Sequence, residues 1–218
     1  MNVAAMKNLL LSPLSWAWES VYRLRRSGYE YGFLPRTSFQ VPVVSVGNLT
    51  FGGTGKTPMI LWLADYFADR GMMPVVLTRG YKGLLENSAG LLRSGQRFRL
   101  TPHDYGDEPL MIAGKMKRGA VIVGKRRARN LERYFPEVRP DVVLLDDGFQ
   151  HLQIQRSFNL VLFDATLPLE RYHAAPRGGL REGLTALKDA DAIVISRADM
   201  VPPERKAGLR ALLARHYH

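Results

Sequence analysis

A glycine-rich stretch, SVGNLTFGGTGKTP at residues 45–58, contains the residues with the clearest chemical potential. Glycines at this spacing let successive backbone N–H groups turn towards phosphate oxygens, and a helix beginning near Lys56 would direct the positive end of its dipole at the same anion. Lys56 would contact the β- and γ-phosphates of a nucleotide, and Thr57 would offer its hydroxyl to Mg²⁺. The stretch therefore predicts a phosphate-binding loop, whose candidate nucleotide-binding residues are Thr50, Phe51, Gly52, Gly53, Thr54, Gly55, Lys56 and Thr57.

One position of this loop departs from the usual pattern. Loops of this type carry a glycine five residues before the glycine that precedes lysine, and here Thr50 holds that position. A flexible glycine turn is the simplest alternative reading. The β-branched run before the loop, the helical pattern after it and the GKT sequence at the junction favour phosphate binding.

Two adjacent carboxylates, Asp146 and Asp147, follow the apolar run VVLL. A bare Asp-Asp at a strand end often caps a helix or forms a turn. Beside a polyphosphate, however, the two carboxylates would repel the ligand unless a cation lay between them. The phosphate-binding loop upstream therefore favours binding of Mg²⁺ or its water shell by this pair.

Two further polar segments allow either a chemical or a structural role. Asp107 in GDEP (residues 106–109), expected in a loop, could accept a proton from an acceptor hydroxyl, although such turns are common on protein surfaces. The SRAD segment at residues 196–199 resembles the loop with which many nucleotide-binding proteins hold a base, but Asp199 could equally cap a turn.

The elements that must position these residues alternate along the chain. Short β-branched runs predict six strands, at residues 41–47, 74–78, 120–123, 141–145, 159–163 and 192–196. Helical patterns lie at residues 56–70, 125–135 and 203–218, and residues 94–101 suggest part of a hairpin. This alternation predicts an α/β fold with a mainly parallel sheet and helices on both faces, which binds ligands at the carboxyl ends of the strands.

Composition limits the chemistry further. The chain has 218 residues, no cysteine and a formal net charge of +11, which excludes disulfides and thiolate catalysis and points to an anionic partner. Many of the basic residues lie between residues 115 and 133. Nucleic acid, a phosphorylated substrate, a lipid surface or a merely solvated face would each explain that cluster. The chain shows no recognition-helix motif and no aromatic residues interleaved with the basic ones.

The N-terminal residues 1–26 combine leucine and tryptophan with a cationic end, Arg23, Arg25 and Arg26. An amphipathic helix of this kind can lie in a bilayer interface, or it can pack on its own domain. Pro13 would kink the helix or start it afresh. The uncharged stretch is too short for a membrane-spanning helix, and no secretory signal is recognisable.

Taken together, three motifs resemble the tetraacyldisaccharide 4'-kinase (lipid A 4'-kinase) family. They are GNLTFGGTGKTP at 47–58, RGY at 79–81 with GDEP at 106–109, and DDGFQHL at 146–152. The resemblance covers essentially the whole chain and implies a P-loop fold with ATP and Mg²⁺ as cofactors. It implies phosphorylation of the 4'-hydroxyl of an acylated glucosamine disaccharide 1-phosphate, a step in lipid A biosynthesis.

The resemblance also implies roles for individual residues. Lys56 and Thr57 would bind ATP and Mg²⁺, and Asp107 would act as base or proton acceptor. Asp146 and Asp147 would form the acidic metal-binding pair. Further implied are catalytic roles for Arg127 and Arg181 and a metal-assisting role for Glu182. The last two lie in PRGGLRE at 176–182, where the family usually has a PAGPLRE-like sequence.

On this basis residues 1–34 are expected to form a membrane-associating segment and residues 35–218 the kinase domain. The expected partners are the lipid substrate and the anionic inner face of the bacterial inner membrane, where the protein would be peripheral. We expect a monomer and no nucleic-acid partner.

Family members are longer, and their further C-terminal portion supplies a histidine that pairs with the GDEP aspartate. His216 and His218 do not lie in a matching context, so the expectation is nucleotide binding with weak phosphoryl transfer. Two alternatives remain at this point: another P-loop ATPase or soluble small-molecule kinase, and a nucleic-acid-binding module driven by charge.

Overall fold

The computed structural model describes residues 3–95 and 101–217, with side chains from residue 11 onward. The helices are α1 Val3–Glu30, α2 Lys56–Ala68, α3 Pro102–Tyr105, α4 Asp107–Lys115, α5 Arg127–Val138 and α6 Pro203–Ala214. The strands are β1 Val43–Asn48, β2 Pro74–Thr78, β3 Gly90–Arg93, β4 Ala120–Val123, β5 Val142–Asp146, β6 Phe158–Asp164 and β7 Ala192–Ser196. The chain divides into two compact units: the first contains Met1–Pro35, Asn48–Gly55 and Asn159–His218, and the second contains Arg36–Gly47 and Lys56–Phe158.

The second unit is built on strands in the order β3-β4-β2-β5-β1. The pairs β1–β5, β2–β5 and β2–β4 are parallel, and β3 runs antiparallel to β4. The runs PVVLT, AVIV and VVLLD are buried along their whole length. Continuous burial of this kind requires cover on both faces, as parallel sheets have.

Helices cover both faces of these strands. Leu131 and Val138 of α5 join a buried cluster with alternate strand residues, including Leu77, Ile122 and Leu145. The intervening strand residues point to the opposite face, and α2 and α4 contact β5 and β4 respectively. The predicted α/β class with a mainly parallel sheet is therefore confirmed, as is the placement of helices on both faces.

The first unit contains α1, the parallel pair β6–β7 and α6. The N-terminal helix is confirmed, and it is helical through Pro13. Side chains of α1 bond to residues 177–189: Thr185 Oγ1 donates to Glu19 at 3.1 Å, and Lys188 Nζ donates to Glu30 at 2.9 Å. In the part of the chain that the structure describes, no helix combines the length and hydropathy needed to cross a bilayer.

Apart from the short helix α3, the structure differs from the sequence-based expectation in two elements. The GDEP motif does not lie in a loop, because Asp107 and Glu108 begin α4; carboxylates in a first turn favour the positive end of the helix dipole, and proline is tolerated there. The second difference is β3, a strand that the sequence did not predict. Most of the neighbouring hairpin expected at 94–101 lies outside the described residues, since 96–100 are not described.

Candidate functional site

The glycine-rich loop leaves β1 and ends where α2 begins at Lys56. Gly52 and Gly55 have φ angles of 106° and 86°, a region that residues with a Cβ rarely adopt. Glycine at these positions permits a tight turn just before α2, and a glycine-rich turn followed by a helix N-terminus is a sequence arrangement that suits phosphate. The candidate nucleotide-binding residues 50–57 lie consecutively in this turn.

The side chain of Asn48 holds the loop through hydrogen bonds to its backbone, and this residue was not predicted from the sequence. Its buried side-chain Nδ2 donates to the backbone oxygen of Thr50 at 3.0 Å and to that of Gly52 at 3.4 Å. The same atom donates to Thr50 Oγ1 at 3.2 Å, and Thr50 also forms an antiparallel β-bridge with Leu180. The threonine that replaces the usual glycine is therefore integrated into the loop by its own side chain.

The remaining site residues described next belong to the second unit. Lys56 Nζ lies 3.5 Å from Asp147 Oδ1, and only 13% of the Lys56 side chain is exposed. Asp147 has a φ of 46°, an uncommon conformation for a residue other than glycine. The turn after β5 thus brings the second carboxylate of DDGFQHL to the lysine of the phosphate-binding loop.

Close packing of this turn explains a neighbouring glycine. A Cβ added to Gly47 would lie 2.6 Å from the Cβ of Phe149 and 2.7 Å from its backbone nitrogen. The Gly148 N–H donates to the oxygen of Val46 at 3.1 Å. The glycine-rich motif and DDGFQHL therefore meet through direct contact between β1 and the Asp147 turn.

The GDEP motif contacts the first turn of α2. Thr57 Oγ1 donates to Glu108 Oε1 at 2.5 Å, and Asp107 is exposed as the first residue of α4. Thr57 is the residue expected to offer its hydroxyl to Mg²⁺. The structure therefore places a carboxylate next to that hydroxyl and leaves Asp107 accessible to a substrate.

Asp146 is almost fully buried at the end of β5, with 3% of its surface exposed. Thr78 Oγ1 donates to Asp146 Oδ2 at 2.9 Å. Burial, reinforced by the charge of Glu108, raises the pKa of Asp146 to about 6, although Arg127 and the Thr78 hydrogen bond oppose the shift. Thr78 was missed by sequence reasoning, since its partner lies 68 residues away.

Arg127 begins α5 and is 7% exposed. Its Nη1 donates to the backbone oxygen of Asp147 at 3.3 Å. Burial lowers the pKa of Arg127, whereas the charges of Asp146 and Asp147 oppose that shift. Arg127 is therefore a buried guanidinium close to two carboxylates, and its catalytic role stays a prediction.

The residues present fit a magnesium ion. Within the described ranges, Asp146 Oδ1 is buried and has no hydrogen-bond partner, as expected of an atom awaiting a cation or water. A hydroxyl and two carboxylates, from Thr57, Asp146 and Asp147, are the oxygen ligands that Mg²⁺ takes together with substrate phosphates. No group of three or more His, Cys, Asp or Glu residues in those ranges could hold a metal on its own.

Arg181 and Glu182 belong to the first unit. The Arg181 N–H donates to the oxygen of Leu49 at 2.6 Å, and its guanidinium lies 5.7 Å from the centre of the Phe51 ring. Glu182 is 3% exposed and its Oε2 accepts a hydrogen bond from Arg26 Nη2 at 2.9 Å. Arg181 thus neighbours the loop, whereas Glu182 has a structural partner, and its metal-assisting role stays a prediction.

The SRAD segment begins at the end of β7. Arg197, with a φ of 53°, forms an ion pair with Asp164, and Asp199 lies in a 3₁₀ turn, Ala198–Met200. A Cβ on Gly55 would lie 3.7 Å from that of Ser196. The segment therefore contacts the loop, and its base-binding role stays a prediction.

Comparison with known proteins adds an independent observation. A model of the family described as tetraacyldisaccharide-1-P 4'-kinase matches residues 7–217. A tetraacyldisaccharide 4'-kinase of Desulfotalea psychrophila is 39% identical over 193 residues, which cover 87% of this chain and 56% of that protein. A tetraacyldisaccharide 4'-kinase of Pelodictyon phaeoclathratiforme is 36% identical over 197 residues, covering 88% of this chain and 55% of that protein.

Among solved structures, the chain is similar to the "apo" form of LpxK from Aquifex aeolicus in complex with ATP. The TM-score is 0.79 with 31% sequence identity, and the match covers 89% of this chain and 60% of that chain. The chain spans a little over half the length of the curated relatives it matches.

Proposed function

The chain belongs to the tetraacyldisaccharide 4'-kinase family, and we propose that it transfers the γ-phosphoryl group of ATP to the 4'-hydroxyl of a tetraacyldisaccharide 1-phosphate. One observation carries this proposal beyond the family match. Three motifs distant in the sequence supply contacting polar atoms in the second unit: Lys56 with Asp147, and Thr57 with Glu108.

The phosphates of ATP would lie on the backbone N–H groups of residues 50–57, with Lys56 moving from Asp147 to the β- and γ-phosphates. Thr57, Asp146 and Asp147 would hold Mg²⁺, and Glu182 is a further candidate for assisting it. When bound, Mg²⁺ would neutralise charge on the phosphate oxygens.

The acceptor side of the site would depend on Asp107. Its exposed carboxylate at the start of α4 would orient the sugar hydroxyl and take its proton during attack. Arg127 and Arg181 would stabilise the charge that develops on the transferred group. Arg127 is held rigidly by burial, as electrostatic preorganisation requires.

The location of the substrate suggests a role for α1. Leu14, Val21 and Leu24 are 58%, 66% and 76% exposed, and their spacing of seven and three residues places them on one face of the helix. Exposed apolar side chains on a helix with a cationic end favour binding in the interface of an anionic membrane. We infer a peripheral location at the inner membrane.

A phosphoryl-transfer assay tests the proposal. The protein is incubated with radiolabelled ATP, Mg²⁺ and tetraacyldisaccharide 1-phosphate in detergent micelles, and the lipid is analysed for label. We expect labelled lipid. We also expect Lys56→Ala to lower the rate of transfer by about 10³-fold, because the lysine cation that would neutralise the phosphates is lost. The matched control Lys115→Ala alters an exposed lysine at the far end of α4 and should retain the rate.

Two results would contradict the proposal. One is the absence of both ATP binding and lipid labelling in the unaltered chain. The other is transfer that survives Lys56→Ala. If the chain binds ATP and releases labelled inorganic phosphate but yields no labelled lipid, it would instead be an ATPase.

A further inference from the structure

A continuous set of hydrogen bonds crosses the first unit from α1 to the phosphate-binding loop. On the loop side, the Phe51 N–H donates to the backbone oxygen of Gly179 at 2.9 Å, and the Arg181 N–H donates to the backbone oxygen of Leu49 at 2.6 Å. The β-bridge between Thr50 and Leu180 lies between them. Residues 179–181 therefore run alongside residues 49–51 as a short antiparallel ladder, which we call the loop ladder.

The other side of the same segment bonds to α1. The Trp18 indole Nε1 donates to the backbone oxygen of Arg181 at 2.8 Å, and the Arg177 N–H donates to Ser15 Oγ at 3.0 Å. Arg181 thus uses its N–H on the loop and its oxygen on the helix. A displacement of α1 cannot leave Arg181 in place without breaking one of these bonds.

A buried ion pair fixes the end of the ladder. Arg26 Nη2 lies 2.9 Å from Glu182 Oε2, and both side chains are about 95% buried, with 6% and 4% exposed. Arg26 also pairs with Asp189. Burial opposes the charged form, yet the attraction of Glu182 and Asp189 raises the pKa of Arg26. Removing one partner of a buried pair leaves the other charge uncompensated, so Arg26 and Glu182 are each held in place by the other.

We propose that Arg26 is a positioning residue for nucleotide binding: by fixing Glu182 it sets the loop ladder, and so α1 determines the conformation of the phosphate-binding loop. This inference rests on the proposed nucleotide function. It assigns to α1 a second role besides contact with a membrane. In this arrangement Glu182 acts through Arg26 and the backbone.

The physical reason lies in the tolerance of phosphate sites. Backbone N–H groups bind phosphate only when their directions converge, and displacements near 1 Å are costly. Leu49 and Phe51 flank Thr50, the position where the loop lacks its usual glycine. The loop ladder gives this part of the loop external partners, and coupling between sites is reciprocal. Nucleotide binding should therefore also tighten α1.

Hydrogen–deuterium exchange tests the proposal directly. We compare the unaltered chain with Arg26→Gln and with the matched control Arg23→Gln, which removes an exposed ion pair to Glu19 on the same helix. In Arg26→Gln we expect the amides of residues 49–52 to exchange about tenfold faster, and the dissociation constant for ATP to rise about tenfold. The exchange rates of amides in β2 and β4 should stay within about twofold of those in the unaltered chain. In Arg23→Gln, all exchange rates and the dissociation constant for ATP should also stay within about twofold of the unaltered values.

A second variant keeps the test decisive if Arg26→Gln fails to fold. Trp18→Phe retains the ion pair and an aromatic ring but removes the donor to Arg181. We expect about threefold faster exchange at residues 49–52 and a similar loss of ATP affinity. Arg26→Lys, which retains a cation, should restore part of the protection lost in Arg26→Gln.

The proposal is overturned if residues 49–52 exchange at the unaltered rate in both folded variants. It is also overturned if exchange rises equally in β2 and β4, because that result indicates general destabilisation. The exchange measurement needs no nucleotide, so its outcome is separate from that of the kinase assay. Suppose that exchange at residues 49–52 rises in the variants but the unaltered chain does not bind ATP. That outcome would contradict the proposed function and leave the coupling of α1 to the loop in place.

Discussion

Asp146 is the residue at which stability and the proposed function oppose each other most clearly. Its carboxylate is buried, one oxygen accepts from Thr78, and the other has no hydrogen-bond partner within the described residues. Such a group costs free energy in the folded protein and is typical of functional sites. A cation held by Asp146 under the proposed function would compensate for this cost.

Replacing Asp146 with asparagine should therefore stabilise the metal-free protein. The pKa of about 6 exceeds the ordinary value of 3.8, so the folded state binds the proton more tightly and loses stability as pH rises through this range. We expect Asp146→Asn to raise the free energy of unfolding by up to about 3 kcal/mol at pH 7.5, and by about half of that at pH 5. Urea unfolding in EDTA at both pH values measures the free energy of unfolding. An equal increase in that free energy at both pH values would contradict the prediction.

Asp107 should separate catalysis from nucleotide binding. Its carboxylate is exposed and is expected to act on the acceptor hydroxyl, so Asp107→Ala should lower phosphoryl transfer by about 10²- to 10⁴-fold. The dissociation constant for ATP should change by less than about threefold. Asp69→Ala, which removes an exposed carboxylate paired with Lys117, is the control. Equal loss of transfer and affinity in Asp107→Ala would reassign Asp107 to ATP or metal binding.

At this scale the sequence singled out residues whose side chains contact other motif residues in the structure, and their roles towards a ligand stay predictions. Lys56, Thr57 and Asp147 stand in motifs whose spacing follows from phosphate chemistry, and the structure brings their side chains to partners in those motifs. Asn48 and Thr78 escaped prediction because their role is to hold other residues. Such a role depends on tertiary neighbours, which no local pattern specifies.

At the scale of elements, α5 connects the core to the site. Arg127 starts the helix beside Asp147, and Leu131, one turn later, is fully buried among the strands. Helical residues four apart share a face, so Leu131 packs into the core from the same side of α5 that carries Arg127.

Leu131→Ala tests this connection. Removing a fully buried leucine should lower the free energy of unfolding by about 3 kcal/mol, measured by urea unfolding. Glu132→Ala, at an exposed position of the same helix, should change it by less than about 0.5 kcal/mol. A change of similar size in both variants would mean that α5 does not depend on this contact.

The strands were predictable where β-branched residues form continuous runs. Three of the six predicted strands have the expected bounds, and the other three differ by at most two residues at either end. The strand β3, with the sequence GLLR, was not predictable because it is short and contains no β-branched residue. The start of α4 was also misjudged, since GDEP reads locally as a turn. Its carboxylates instead occupy the first turn of a helix.

At the scale of the whole molecule, the net charge of +11 first indicated any polyanion. Under the proposed function, the positive charge would meet ATP, a phosphorylated lipid and an anionic membrane. The motifs allowed the family to be inferred from sequence because phosphate and metal chemistry restricts the residues that serve there. The contacts of α1 could not be inferred, since the same apolar pattern suits packing or a bilayer.

Vesicle cosedimentation distinguishes the contributions of charge and of the apolar face of α1. Each cation near an anionic surface contributes about 1 kcal/mol, screened within about 10 Å at 0.1 M salt. We therefore expect the chain to bind vesicles containing about a third anionic phospholipid at least tenfold more weakly at about 0.5 M salt than at about 0.05 M. The combined variant Leu14→Ser, Val21→Ser, Leu24→Ser keeps the charge, so it should lose the salt-resistant part of binding. Equal binding to neutral and to anionic vesicles would show that charge does not cause the chain to bind the membrane.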